Sequence, residues 1–127
     1  MPWLDVAKNY QQINVEQALS DQNSVFYYYQ RLIALRKEVK VITTGDYTDL
    51  MPEHSQLFCY QRRSNEQTLI CINNYYEEAL EYQLPAHLEL HKSKYIIRND
   101  PELSTLQPTR TGKLKPYECR VLLINYY

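Results

Sequence analysis

The run NSVFYYYQRLIALRKE, residues 23–38, limits the folds open to this chain more than any other segment. Apolar and aromatic residues fall at Tyr28, Leu32, Leu35 and Val39, and again at Phe26, Tyr29 and Ile33. That spacing follows the ~3.6-residue period of a helix and gives it a broad apolar stripe. A stripe this wide must be covered by another element. Residues 41–127 read as β-patterned sequence, which can cover one side. The other side is left for a partner outside these 127 residues, so the chain reads as a piece of something larger.

The signals around that helix are local. Asn14 followed by Gln17 resembles a capping box opening a short helix through Leu19. Asp21, Asn23 and Ser24 are N-cap candidates for the long helix, with Ser24 preferred. Arg36, Lys37 and Lys40 suit the negative pole at its end, and the β-branched run Val41–Thr44 predicts that it has stopped by there.

Beyond residue 44 the pattern is of short strands separated by turns. Leu57–Arg62 and Thr68–Asn73 flank Ser64-Asn65-Glu66 as a hairpin. Ala79–Leu84 alternates as a half-buried strand, Tyr95–Arg98 stops at the turn Asn99-Asp100-Pro101, and Cys119–Asn125 is a nearly continuous apolar central strand after Pro116. Many short strands with frequent turns predict an antiparallel sandwich.

Charge excludes several functions. With 14 basic and 15 acidic side chains the net charge is −1, so nothing draws the chain to nucleic acid or anionic lipid. No apolar run approaches the ~20 residues that span a bilayer, and the opening MPWLDVAKNY lacks the pattern of a signal peptide. Cys59, Cys71 and Cys119 contain no C-x-x-C pair, which argues against a zinc or redox motif and for structural thiols in a reducing, cytoplasmic setting. A hairpin centred on Asn65 sets Cys59 opposite Cys71, close but reduced.

Catalytic chemistry is hard to assemble. Glu77, Glu78 and Glu81 cluster, and two carboxylates can cleave a glycosidic bond, but these sit in a turn and the start of a strand with no pocket implied and so read as a solvated charged loop. His87 and His91 lie four apart in HLELH, which alternates like a strand and so reads as surface rather than as a metal pair. No cofactor or metal is expected. Among the thirteen tyrosines, Tyr75 and Tyr76 are the candidates for stacking on sugar, provided they form an exposed coplanar platform; otherwise the tyrosines are core and interface filler.

Four segments together carry a family resemblance: PWLDVAKNYQQINVEQAL, SVFYYYQRLIALRKE, GDYTDL and LKPYECRVLLINY. In this order they resemble the carboxyl-terminal end of α-glucosidases of glycoside hydrolase family 13. The resemblance implies a mainly β fold, an antiparallel β-sandwich preceded by one or two helices from the end of a (β/α)₈ barrel. Residues 1–40 then correspond to the barrel's last loop and helix, and residues 41–127 to the carboxyl-terminal sandwich. It also implies that Phe26, Tyr29, Leu32, Ile33 and Arg36 pack against the barrel, which is the expected partner. The family's catalytic carboxylates lie on earlier barrel strands, so no catalytic residue is carried onto this sequence. Trp3, Asn9 and Tyr10 match a segment near the rim of the active-site face. Oligosaccharide would be met only through the parent enzyme. The alternatives are a carbohydrate-binding sandwich using exposed tyrosines and a homodimer formed through the exposed helix.

Overall fold

A computed structural model describes residues 3–101 and 106–127. The chain divides into two compact units, Met1–Leu35 and Arg36–Tyr127.

Two helices dominate the first unit. Helix α1 (Val15–Ser20) opens on Asn14, whose Oδ1 accepts from the Gln17 amide at 2.8 Å, as the capping signal predicts. Helix α2 (Val25–Glu38) begins after Ser24, whose carbonyl accepts the first helical bond from Tyr28. The Ser24 hydroxyl does not behave as a simple cap, because it donates back to the Ala18 carbonyl at 2.7 Å. Tyr27 Oη likewise donates to the Leu19 carbonyl at 3.1 Å, and Arg31 Nη1 to Gln22 at 3.2 Å. The corner between the helices is therefore held by side chains bonding to carbonyls that the last turn of α1 leaves without intrahelical partners, and to the Gln22 carbonyl just beyond it.

The second unit is a β-sandwich, as expected. Strands β1 (Asp46–Asp49), β2 (Leu57–Arg63), β3 (Gln67–Asn74), β5 (Ser93–Arg98) and β7 (Cys119–Asn125) form one sheet in the order β1-β2-β3-β7-β5. Strands β4 (Leu80–Gln83) and β6 (Thr111–Leu114) form a second, two-stranded sheet. Every pairing is antiparallel. Leu57, Cys59, Ile70, Ile72, Leu122 and Ile124 from the larger sheet meet Leu80, Tyr82, Leu84 and Leu114 at the smaller one. Leu69, Leu123 and Ile97 are buried as well, so β3 and β7 lose water from both faces. That explains why Cys119–Asn125 reads as a continuous apolar run.

Several expectations are corrected. Helix α2 stops at Glu38, as the β-branched run predicts, but Val41–Thr44 is not β: it is a separate helical turn, α3, with both threonine hydroxyls donating to the Lys40 carbonyl. HLELH is no strand: a turn carries His87 and a 3₁₀ turn (Leu90–Lys92) carries His91, both exposed. The hairpin is tighter than a three-residue loop. Ser64 N donates to Gln67 O at 2.9 Å, which adds one pair to the ladder beyond Arg63↔Thr68 and leaves only Asn65 and Glu66 in the loop. Cys59 therefore faces Ile72, and Tyr60 faces Cys71. A slip of one residue turns every side chain over, so Cys59 points into the core and Cys71 to the opposite face of the sheet.

Gly45 makes the corner from α3 into β1 possible. A Cβ there would lie 2.7 Å from the Val41 carbonyl and 3.0 Å from the Arg63 amide, both backbone. Its own carbonyl accepts from Arg62 Nη2 at 2.8 Å, tying the corner to β2. Gly45→Ala is expected to destabilise the chain by about 2–3 kcal/mol, since backbone cannot step aside as a flexible side chain can. Thermal unfolding followed by circular dichroism reads this directly; an unchanged melting temperature would remove the steric account.

Candidate functional surfaces

Helix α2 carries the first surface. None of its residues is buried. Phe26 (44%), Tyr29 (62%), Leu32 (36%) and Ile33 (54%) are exposed, and Arg36 with them, whereas Tyr28 and Leu35 are half-buried. Positions 26, 29, 32, 33 and 36 fall on one side of a helix. The five residues predicted to pack on a partner thus form one exposed apolar ridge ending in a guanidinium. Trp3 and Tyr10 are exposed as well.

The second surface is aromatic. Tyr47 and Tyr60 have ring centroids 5.4 Å apart at 33°, Tyr60 and Phe58 5.1 Å at 43°, Phe58 and Tyr75 6.3 Å at 38°, and Tyr75 and Tyr76 6.4 Å at 36°. The predicted pair Tyr75-Tyr76 is the end of a row of five rings, stepped rather than coplanar. Sequence reasoning found only that end. The remainder is assembled from β1 and β2, and only the register Tyr47↔Arg62 and Asp49↔Tyr60 brings its members together.

Glu77, Glu78 and Glu81 are all exposed around the start of β4. Among the described residues no three His, Cys, Asp or Glu side chains converge on a metal-sized site. A cavity of about 340 Å³ opens between the β2–β3 hairpin and the turn before the 3₁₀ segment, lined by Gln61, Arg63, Thr68, His87, Leu88 and Tyr126 among others. Arg63 stacks over the Tyr126 ring at 6.0 Å, and the Tyr126 and Thr68 hydroxyls lie 2.6 Å apart. Arg63, Tyr126 and Thr68 are thus engaged with one another. It holds no carboxylate pair flanking a gap, and nothing in it resembles a nucleophile with its base.

Sequence reasoning missed the most highly charged buried group. Glu118 and Arg120 are buried, with Arg120 Nε 2.5 Å from Glu118 Oε1. Arg120 Nη2 donates to the Lys113 carbonyl at 2.8 Å, and Glu118 Oε2 accepts from the Lys115 amide at 2.7 Å. Burial is the largest single influence and disfavours the guanidinium charge, but the Glu118 and Tyr95 hydrogen bonds and the charges of Glu118 and Tyr82 together outweigh it, so that Arg120 is held more firmly protonated than usual. Arg120 also lies over the Tyr82 ring at 5.9 Å. The signal was in plain view: two opposite charges, two residues apart, interrupt an otherwise apolar run. Within the same turn Tyr117 adopts φ 57°, a left-handed conformation following Pro116.

Comparison with known proteins adds the following. The family pattern described as the catalytic domain of α-amylase matches residues 1–45. The chain is 40% identical over 122 residues to an oligo-1,6-glucosidase of Halalkalibacterium halodurans, covering 96% of this chain and 22% of that protein. It is 41% identical over 117 residues to a trehalose-6-phosphate hydrolase of Escherichia coli, covering 92% of this chain and 20% of the relative. The crystal structure of Bacillus licheniformis trehalose-6-phosphate hydrolase superposes with a TM-score of 0.88 at 36% identity, over 98% of this chain and 22% of the solved one. The chain thus spans about a fifth of the length of the relatives it matches. No described helix is long and apolar enough to cross a membrane.

Proposed function

Because the chain belongs to the α-amylase family, glycoside hydrolase family 13, we propose that it is the non-catalytic carboxyl-terminal part of a larger cytoplasmic α-glucosidase. Residues 1–40 complete the catalytic barrel, and residues 41–127 form the sandwich that stabilises it. The observation that carries this reading is the apolar ridge Phe26, Tyr29, Leu32 and Ile33, exposed on a helix whose sequence lies within the stretch matching an α-amylase catalytic domain. An amphipathic helix is stable when that ridge is covered. The barrel of the parent chain is the covering element, with Arg36 at the end of the contact.

In the parent, two carboxylates on earlier barrel strands cleave an α-glucosidic bond in short oligosaccharides with retention, one as nucleophile and one as acid/base. The segment described here supplies neither. Its contribution is area: a few hundred Å² of apolar surface at ~25 cal/mol/Å² gives several kcal/mol gross, which is large against the stability of an ordinary enzyme.

Assay of the full-length gene product and of these 127 residues on p-nitrophenyl α-glucoside tests the assignment. Turnover is expected in the longer protein only. Deleting the stretch equivalent to residues 41–127 should lower melting temperature and soluble yield before it changes the chemical step; a truncated parent that keeps both overturns the stabilising role. The stepped row Tyr47–Tyr60–Phe58–Tyr75–Tyr76 favours a second reading, a sugar-binding surface on the sandwich. Saturable tyrosine fluorescence change on titration with isomaltose or dextran would support it, and a flat response would dismiss it.

A further inference from the structure

The register between β3 and β7 creates a thiol pair that the sequence does not suggest. Strands β3 and β7 run side by side with Cys71 opposite Val121 and Asn73 opposite Cys119. Cys71 and Cys119 are thus diagonal neighbours on one face of adjacent strands, so placed that the Cys119 thiol favours the Cys71 thiolate. Cys59 is on the other face, inside the core, where burial pushes its thiol up to about 12 and leaves it inert.

Cys71 sits among groups suited to a thiolate. Asn73 Nδ2 lies 3.3 Å from its sulfur, and the same amide nitrogen donates to the Phe58 carbonyl at 3.3 Å, which fixes its orientation. In the protonated state the thiol can donate to Asn73 Oδ1 at 3.6 Å, so one amide serves both forms. Tyr60 lies directly across on β2, and its hydroxyl also favours the Cys71 thiolate. Burial and then the charge of Cys71 keep that phenol protonated, and therefore a donor, well above neutral pH. The Cys119 hydrogen bond lowers the Cys71 thiol first and foremost; Asn73 and Tyr60 add to this, and together they overcome burial to bring it from 9.0 to about 7. Cys119 is the more exposed of the two and gives the pair its opening to solvent.

We propose that Cys71 and Cys119 form a peroxide-responsive thiol pair that closes to a cross-strand disulfide between the two central strands of the sandwich. The Cys71 thiolate attacks one oxygen of hydrogen peroxide; the O–O bond breaks and hydroxide leaves, taking a proton to become water. Cys71 is then a sulfenic acid. The Cys119 sulfur attacks it, the S–O bond breaks, and the departing hydroxide takes the Cys119 proton as a second water. Two thiols are oxidised to one disulfide and one peroxide is reduced to two waters. Adjacent strands at diagonal positions hold the Cα atoms slightly beyond ordinary disulfide separation, so the closed form draws β3 and β7 together locally and is readily reduced.

The test uses the full-length polypeptide carrying this segment, folded, treated with hydrogen peroxide, quenched by alkylation and digested without reductant. Mass spectrometry should find the Cys71 and Cys119 peptides joined, two hydrogens lighter, and separated again by dithiothreitol. In Cys119→Ser the link should disappear and a Cys71 sulfenic acid should be trapped by dimedone. In Cys71→Ser the consumption of Cys119 by peroxide should slow by at least ~tenfold, because the activated thiolate is gone. A link through Cys59, a link from either residue to any other cysteine, or Cys71 and Cys119 both recovered as alkylated thiols or as separate sulfinic acids overturns the pairing. Should a serine variant fail to fold, the peptide map of the unaltered protein decides alone.

Discussion

Glu118→Ala is expected to cost the chain about 3–5 kcal/mol, because it strands a charged guanidinium in the core rather than merely deleting an ion pair. The two side chains are 1% and 6% exposed, so solvent screening gives little relief. Glu118 binds Arg120 Nε through one oxygen and caps the Lys115 amide through the other, and its own backbone amide closes the turn to Lys115. Removal thus breaks the turn between β6 and β7 as well as the pair. Tyr82, whose ring stacks on Arg120 and whose hydroxyl lies 3.4 Å from Nη1, loses its alignment in the second sheet. The melting temperature should fall by roughly 10–20 °C for a domain of this size. Glu118→Gln, which keeps the cap and loses the charge, should fall between. Replacing both partners with apolar residues, Glu118→Leu with Arg120→Met, should recover most of the loss, since a buried pair often contributes less than good packing. Denaturant unfolding of the three variants distinguishes the cases. Glu118→Ala within 1 kcal/mol of the parent sequence would mean that the pair is not what holds this corner.

Those residues also mark where sequence reading stopped. Strand β7 was legible to its ends because five of its seven residues are buried, on both faces of the sheet, which leaves a nearly continuous apolar run. Strands β1, DYTD, and β6, TGKL, were not legible as strands: four residues each, largely exposed, and paired only because neighbouring chain reaches them. The Cys59–Cys71 expectation failed on a single residue of loop length, since period-two alternation fixes which residues share a face but not which face meets which partner. HLELH alternates as a strand would, yet no neighbouring strand pairs with it and it closes into a turn. For the surfaces, the apolar ridge of α2 lies within one element, so its spacing in sequence is its spacing in space. The aromatic row and the Cys71–Cys119 pair join separate strands, and only register brings such residues together.

Leu32→Asp combined with Ile33→Asp separates the proposed role of α2 from that of an ordinary surface helix. In the 127-residue chain both positions are exposed, 36% and 54%, so the double change should move unfolding free energy by only about 0.5–1 kcal/mol. In the full-length parent the same positions are proposed to face the barrel. There the substitution removes two apolar contacts and buries two carboxylates lacking cations, apart from Arg36 one turn away. The expected cost is then several kcal/mol, on the order of 4 or more. Much of that loss should appear as poor soluble yield or a lower melting temperature, with turnover per folded molecule preserved because no catalytic group has moved. The contrast between the two proteins is the readout: a large effect in the parent and a small one in the segment means a face covered only by the barrel. Equal small effects in both would show that the ridge is uncovered in the parent too, and the stabilising contact would have to be sought elsewhere on the sandwich.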